Sequence, residues 1–257
     1  MLLMITLGCL ADIRPDGLTD DEARGRALLE AAADAAGGLE RWHAVEGSVA
    51  TMSDEWPSPY RMFSPWPEAH QRLTMTSIHH TFDTRVDFLD GGREGWSWGG
   101  SDWRVWEARP SAEPGWAKNG DAAFILPTMH YFLEFPFRML EAPIARYAGA
   151  ETLGDVTYER VFVTWEGVEP SREFDQYVIY IDPATARIAK AHYTVREIAG
   201  FVTGTMHFED IREVEGIRFP FDMVVTASPG DALDDYLHRA VVESLTLGPV
   251  DEALFLR

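Results

Sequence analysis

Arg85-Val86-Asp87-Phe88-Leu89-Asp90-Gly91-Gly92-Arg93-Glu94-Gly95-Trp96-Ser97-Trp98 decides the fold. Val86 and Phe88 alternate with charged residues, the period of a half-buried strand. Gly91-Gly92 accepts the positive φ of a tight hairpin. The return strand, Arg93 to Trp98, puts Trp96 and Trp98 on one face. Gly99-Gly100 turns again into Trp103-Arg104-Val105-Trp106, so the segment reads as an antiparallel meander.

Working outward, Leu73 to Thr76 alternates in the same way. Toward the amino terminus the period changes to 3.6. Ala23, Ala27, Leu28, Ala31 and Ala35 recur at helical spacing. Thr19 is the expected N-cap, with Glu22 three residues later in capping-box position. Gly37-Gly38 ends the helix, and Leu39 to His43 adds a turn that plants Trp42 in the core.

Toward the carboxyl terminus, Asp121 to Leu133 is too long and too apolar for a strand. Pro127 interrupts it, so it reads as one or two short helices. Strands follow at Tyr158 to Trp165, Phe174 to Asp182, Arg187 to Arg196, Thr203 to Ile211, Phe221 to Ala227 and Ala240 to Leu247. The expected fold is mainly β (α+β): a curled antiparallel sheet of about ten strands, an incomplete β-barrel, with an N-terminal helix and a helical lid insert.

Composition narrows the function. The 257 residues carry 22 Lys+Arg against 42 Asp+Glu, a net charge of −20. Nucleic acid and anionic lipid surfaces are therefore poor partners. One cysteine excludes an intrachain disulfide and a zinc-type cysteine cluster. Nine Trp, 14 Phe and 8 Tyr point to a large core, an apolar cavity, or both. No cofactor-binding motif is present, and no apolar run approaches the roughly 18 residues of a membrane span.

Met1 to Cys9 is a short apolar run ending in Gly8-Cys9. A small residue before the only cysteine resembles the end of a bacterial lipoprotein signal, in which the cysteine becomes lipidated. On this reading residues 1–8 are a truncated signal, 9–17 a loose tether and 18–257 a single domain. Cys9 would anchor the protein on the periplasmic side of the cell envelope, and the membrane would be met only through that lipid.

Ala32 to Gly38 with Trp42, the Asp90-Gly91-Gly92 hairpin, Tyr180-Ile181-Asp182-Pro183 with Thr185, Phe208-Glu209-Asp210 and Gly216 to Pro220 together resemble the bacterial lipoprotein-localisation superfamily (LolA/LolB-like). The resemblance implies an open antiparallel barrel with a helical lid over an apolar concavity. In characterised members that concavity takes lipoprotein acyl chains; other relatives bind partner proteins.

Candidate site residues follow. Phe124, Leu126, Met129, Phe132 and Phe135 form the inner face of a lid over Phe88, Trp96 and Trp98, or else simply core. Burying one acyl chain there would gain on the order of 10 kcal/mol, at about 0.8 kcal/mol per CH₂. Trp56, Tyr60 and Trp66, in a proline-rich stretch, are the expected rim. His79-His80, His130, His192 and His207 show no metal-binding spacing. Glu134, set among aromatics, is the one candidate general acid. The expected function is a non-catalytic envelope lipoprotein that binds a lipid or an acyl chain. The alternatives are an envelope protein-interaction module with a filled core, and a hydrolase.

Overall fold

A computed structural model describes residues 10–90, 95–99, 104–108, 115–116 and 120–255. Of 97–99, 104–108, 115–116 and 120–121 it describes the backbone alone. Cys9, the proposed signal, Gly91-Gly92, Gly100, Trp103 and the side chain of Trp98 lie outside the described residues.

Helices α1 (Glu22–Ala35) and α2 (Leu39–His43) precede strands β1 (Gly47–Glu55), β2 (His70–Ile78), β3 (Thr84–Phe88), β4 (Gly95–Gly99), β5 (Arg104–Ala108) and β6 (Gly115–Trp116). The insert holds α3 (Gly120–Leu133) and α4 (Phe135–Arg138). Strands β7 (Ile144–Leu153), β8 (Val156–Thr164), β9 (Gln176–Asp182), β10 (Arg187–Thr194), β11 (Thr203–Val214), β12 (Ile217–Thr226) and β13 (His238–Gly248) complete the chain. Among the described residues the sheet has thirteen strands rather than about ten, in the order β6-β5-β4-β3-β2-β1-β13-β12-β11-β10-β9-β8-β7. Its ladders are antiparallel, and it ends on β6 and β7 without closing. No helix among the described residues is long and apolar enough to cross a membrane.

The chain divides into two compact units. The first comprises Met1–Ala35, Pro136–Phe208 and Val224–Tyr236. Here α1 packs against β7, β8 and β10 and buries Leu29, Ala32 and Ala33. Gly25 permits the approach: a Cβ there would stand 2.5 Å from the Ala145 carbonyl oxygen. The cap differs from expectation. Asp21 Oδ1 accepts the Arg24 amide at 2.9 Å, while Thr19 donates its hydroxyl to the Tyr147 carbonyl at 2.8 Å. Glu22 pairs with Arg146 at 3.3 Å rather than serving as the reciprocal partner of Thr19.

Residues 10–18 are not a free spacer. Ile13 and Leu18 pack on a buried cluster of Ala148, Phe162, Val178 and Tyr180. Arg14 pairs with Glu169 at 2.6 Å, and the Ala11 amide donates to the Gly200 carbonyl at 2.8 Å. Pro15 and Gly17 suggested looseness, but the apolar side chains between and around them dock the segment.

His207 on β11 is 2% exposed and lies 2.8 Å, through Nε2, from the Thr226 hydroxyl. Burial, helped by the nearby Lys190 ammonium and opposed by Asp231, holds its pKa down from 6.5 to about 4. The unfolded chain therefore binds the proton first, and stability falls as pH drops through 6.5 toward 4. Between pH 7 and pH 5 this histidine is expected to cost the fold about 2 kcal/mol. Urea unfolding at the two pH values should show the loss, and His207→Gln should remove most of it.

Candidate functional site

The second unit comprises Ala36–Phe135, Glu209–Met223 and Leu237–Arg257. Strand β3 alternates Thr84, Val86 and Phe88 inward, as the opening stretch predicts. The β3–β4 pairing sets Val86 opposite Trp96 and Thr84 opposite Trp98. Phe88 and Trp96 meet edge to face at 5.0 Å, and Trp66 stacks on Trp96 at 5.6 Å.

Asp121 to Leu133, read from sequence as one or two short helices, lies within the single helix α3, which runs on across Pro127. Thr128 donates its hydroxyl to the Phe124 carbonyl at 2.7 Å, a turn back and beside the proline. α3 packs against β3 and β4. Leu126, Met129, Phe132 and Phe135 are buried, with Phe132 and Phe135 stacked at 5.4 Å, while Phe124 is half-buried.

A buried polar chain fixes how α3 sits. His130 and Glu134 are one helical turn apart, with His130 Nε2 3.0 Å from Glu134 Oε1. His79, at the end of β2, brings its Nε2 to 3.4 Å from the same oxygen. On the other side of His130, Nδ1 lies 3.0 Å from the Thr84 hydroxyl of β3. All four are at most 2% exposed. Sequence reading named Glu134, His130 and His79 separately and missed that they converge. The signal was the i, i+4 spacing of His130 and Glu134. Both imidazoles are directed at one carboxylate oxygen, and no group of three or more metal-ligating side chains among the described residues is placed to hold an ion. Two other histidines are engaged separately: His192 bonds Thr205 at 2.9 Å, and exposed His80 meets the Trp42 ring at 4.2 Å.

The expected rim is organised by a residue that sequence reading missed. Asp54 of β1 is 1% exposed. Its Oδ2 accepts the indole N–H of Trp56 at 2.9 Å and of Trp66 at 2.6 Å, and its Oδ1 lies 3.0 Å from His238 Nδ1 of β13. Trp56 stacks flat on His238 at 4.2 Å. Trp66 is thus buried, Trp56 and Tyr60 are half-buried, and the exposed apolar tip is Met62 and Phe63, at 79% and 66%. The two-residue offset of Asp54 and Trp56 was the available clue.

One open pocket lies in the first unit, with a volume of about 320 Å³. It is lined by Arg14, Glu151, Arg160, Tyr180 and His192, among others, and none of the expected cavity residues borders it. Arg160 and the Tyr180 hydroxyl both donate to Glu151, at 2.8 and 3.0 Å.

The architecture of an open antiparallel sheet with an N-terminal helix and a helical insert is that of the LolA-type lipoprotein-sorting fold. A LolA superfamily protein from Nitrosomonas europaea superposes with a TM-score of 0.56 at 12% identity, over 91% of this chain and 97% of its own. An outer membrane lipoprotein-sorting protein domain from Vibrio parahaemolyticus gives 0.52 at 11% identity, over 91% and 97%. At these identities the likeness is one of fold. No protein-family model matches the chain, and no curated protein matches it.

Proposed function

We propose that the chain is a cell-envelope protein that binds a lipid or a lipoprotein acyl chain, without catalysis, beneath the α3 insert. The observation that carries the reading is the LolA-type fold over more than nine-tenths of the chain. The insert supports it: α3, which packs on β3 and β4, buries Leu126, Met129 and Phe132, and α4 buries Phe135 beside them. An entering acyl chain exchanges one apolar neighbour for another, so little hydrophobic free energy is lost when α3 lifts. The polar chain from His79 to Thr84 sets the closed register. Cys9 is the proposed point of lipid attachment on the periplasmic side of the envelope, and mass spectrometry of Cys9 reads this directly as a diacylglyceryl adduct.

A fluorescent fatty acid tests binding. The wild-type chain is expected to bind it with a blue shift, and Phe132→Asp, folded by circular dichroism, to bind at least tenfold more weakly, since a buried carboxylate disfavours an apolar neighbour. Equal binding by both chains contradicts the proposed site. A second reading, an envelope protein-interaction module with a filled core, is favoured by exposed Met62 and Phe63 together with the burial of the insert. It predicts that neither chain binds the probe.

A further inference from the structure

The open pocket of the first unit is built around one carboxylate. Glu151 of β7 receives two hydrogen bonds on Oε2, from the Arg160 guanidinium at 2.8 Å and from the Tyr180 hydroxyl at 3.0 Å. Burial, and next the Glu151 carboxylate, holds the Tyr180 pKa above its usual range, so the phenol keeps its proton and its bond. Oε1 accepts from no described group, and the Glu151 side chain is 35% exposed. The carboxylate is thus fixed through one oxygen and open through the other.

The rest of the wall is apolar or already neutralised. Ile13, Leu153 and Val178 supply its apolar side. Arg14 is held by Asp12 at 2.8 Å and by Glu169 at 2.6 Å. Lys190 turns its ammonium onto the Pro229 carbonyl at 2.9 Å. Burial lowers the pKa of His192 from 6.5, so at pH 7 the ring adds no charge. Asp16 brings a further carboxylate, and acidic groups outnumber basic ones around the opening.

We infer that this pocket binds a small organic cation, a protonated amine on an apolar body, with its ammonium on Glu151 Oε1. An ammonium donates where Oε1 accepts, and a hydrogen bond between two charged groups is among the strong ones. An anion would meet guanidiniums that already have carboxylate partners, and would face Glu151 itself. The net charge of −20 draws cations to the surface and repels anions. The volume, about 320 Å³, is at the small end of the range for small-molecule sites and sets the size of the body. The site differs in kind from the proposed acyl-chain site: it recognises charge, and none of Leu126, Met129, Phe132 or Phe135 lines it.

The test titrates 2-phenylethylamine into the full chain by calorimetry, with 3-phenylpropionate as an anion of similar shape. The amine is expected to bind saturably and at least about tenfold more tightly than the anion, and Glu151→Gln to weaken it by about tenfold. Gly230→Leu is a second variant that leaves Glu151 and its partners in place. Gly230 lines the pocket, and a Cβ there meets only Leu153, at an ordinary 3.9 Å, so the added side chain narrows the opening and should abolish binding. No saturable binding of the amine by the wild-type chain, equal binding of the anion, or undiminished binding in either folded variant overturns the assignment.

Discussion

Glu134→Ala is expected to destabilise the protein by about 3 kcal/mol, because it leaves two buried imidazoles facing a void where a carboxylate stood. His79 and His130 approach that carboxylate from different elements, β2 and α3, so its loss also frees the insert from its register. Glu134→Gln keeps a carbonyl oxygen as an acceptor and is expected to lose about half as much. Urea unfolding of the two variants, with amide exchange across α3, measures both effects. A loss of under about 1 kcal/mol in Glu134→Ala would show that the polar chain does not hold the helix.

Asp54→Ala is expected to be as costly, again about 3 kcal/mol. Two indole N–H groups and the His238 ring lose a common acceptor at 1% exposure. The effect has a spectral signature. Trp56 and Trp66 should become wetter, and their emission should shift to the red before global unfolding. Asp54→Asn keeps one acceptor oxygen and should lie between. An unshifted emission with unchanged stability would mean that the two tryptophans are placed by the proline-rich segment alone.

What was legible in the sequence was the part with strong alternation. Strand β3 reads correctly because Thr84, Val86 and Phe88 point one way and Arg85 and Asp87 the other. Strand β7, Ile144–Leu153, escapes because its inward positions are small: Ala145, where α1 comes close at Gly25, and Ala148, which Gly17 approaches. Strand β1, Gly47–Glu55, escapes for a related reason: its buried face includes Ser48, Ala50 and Asp54, which carry little hydrophobic signal. The insert reads as interrupted because proline disfavours helix interiors, yet a helix of Phe, Ile, Leu and Met gains more by packing than one lost backbone bond costs. The apolar members of the candidate site are visible as composition. Its polar members are not, because His79, Thr84, His130 and Glu134 meet only when β2, β3 and α3 are assembled.

The central claim is that an acyl chain lies between the α3 insert and strands β3 and β4. A fatty acid bearing a diazirine near its methyl end, bound to the full-length protein and photolysed, reports its neighbours by peptide mass spectrometry. The account predicts labelling on Leu126, Met129, Phe132 or Phe135 and on Phe88 or Trp96, at about one label per chain. Labels confined to the 320 Å³ pocket around Tyr180, or the absence of saturable labelling, would contradict it.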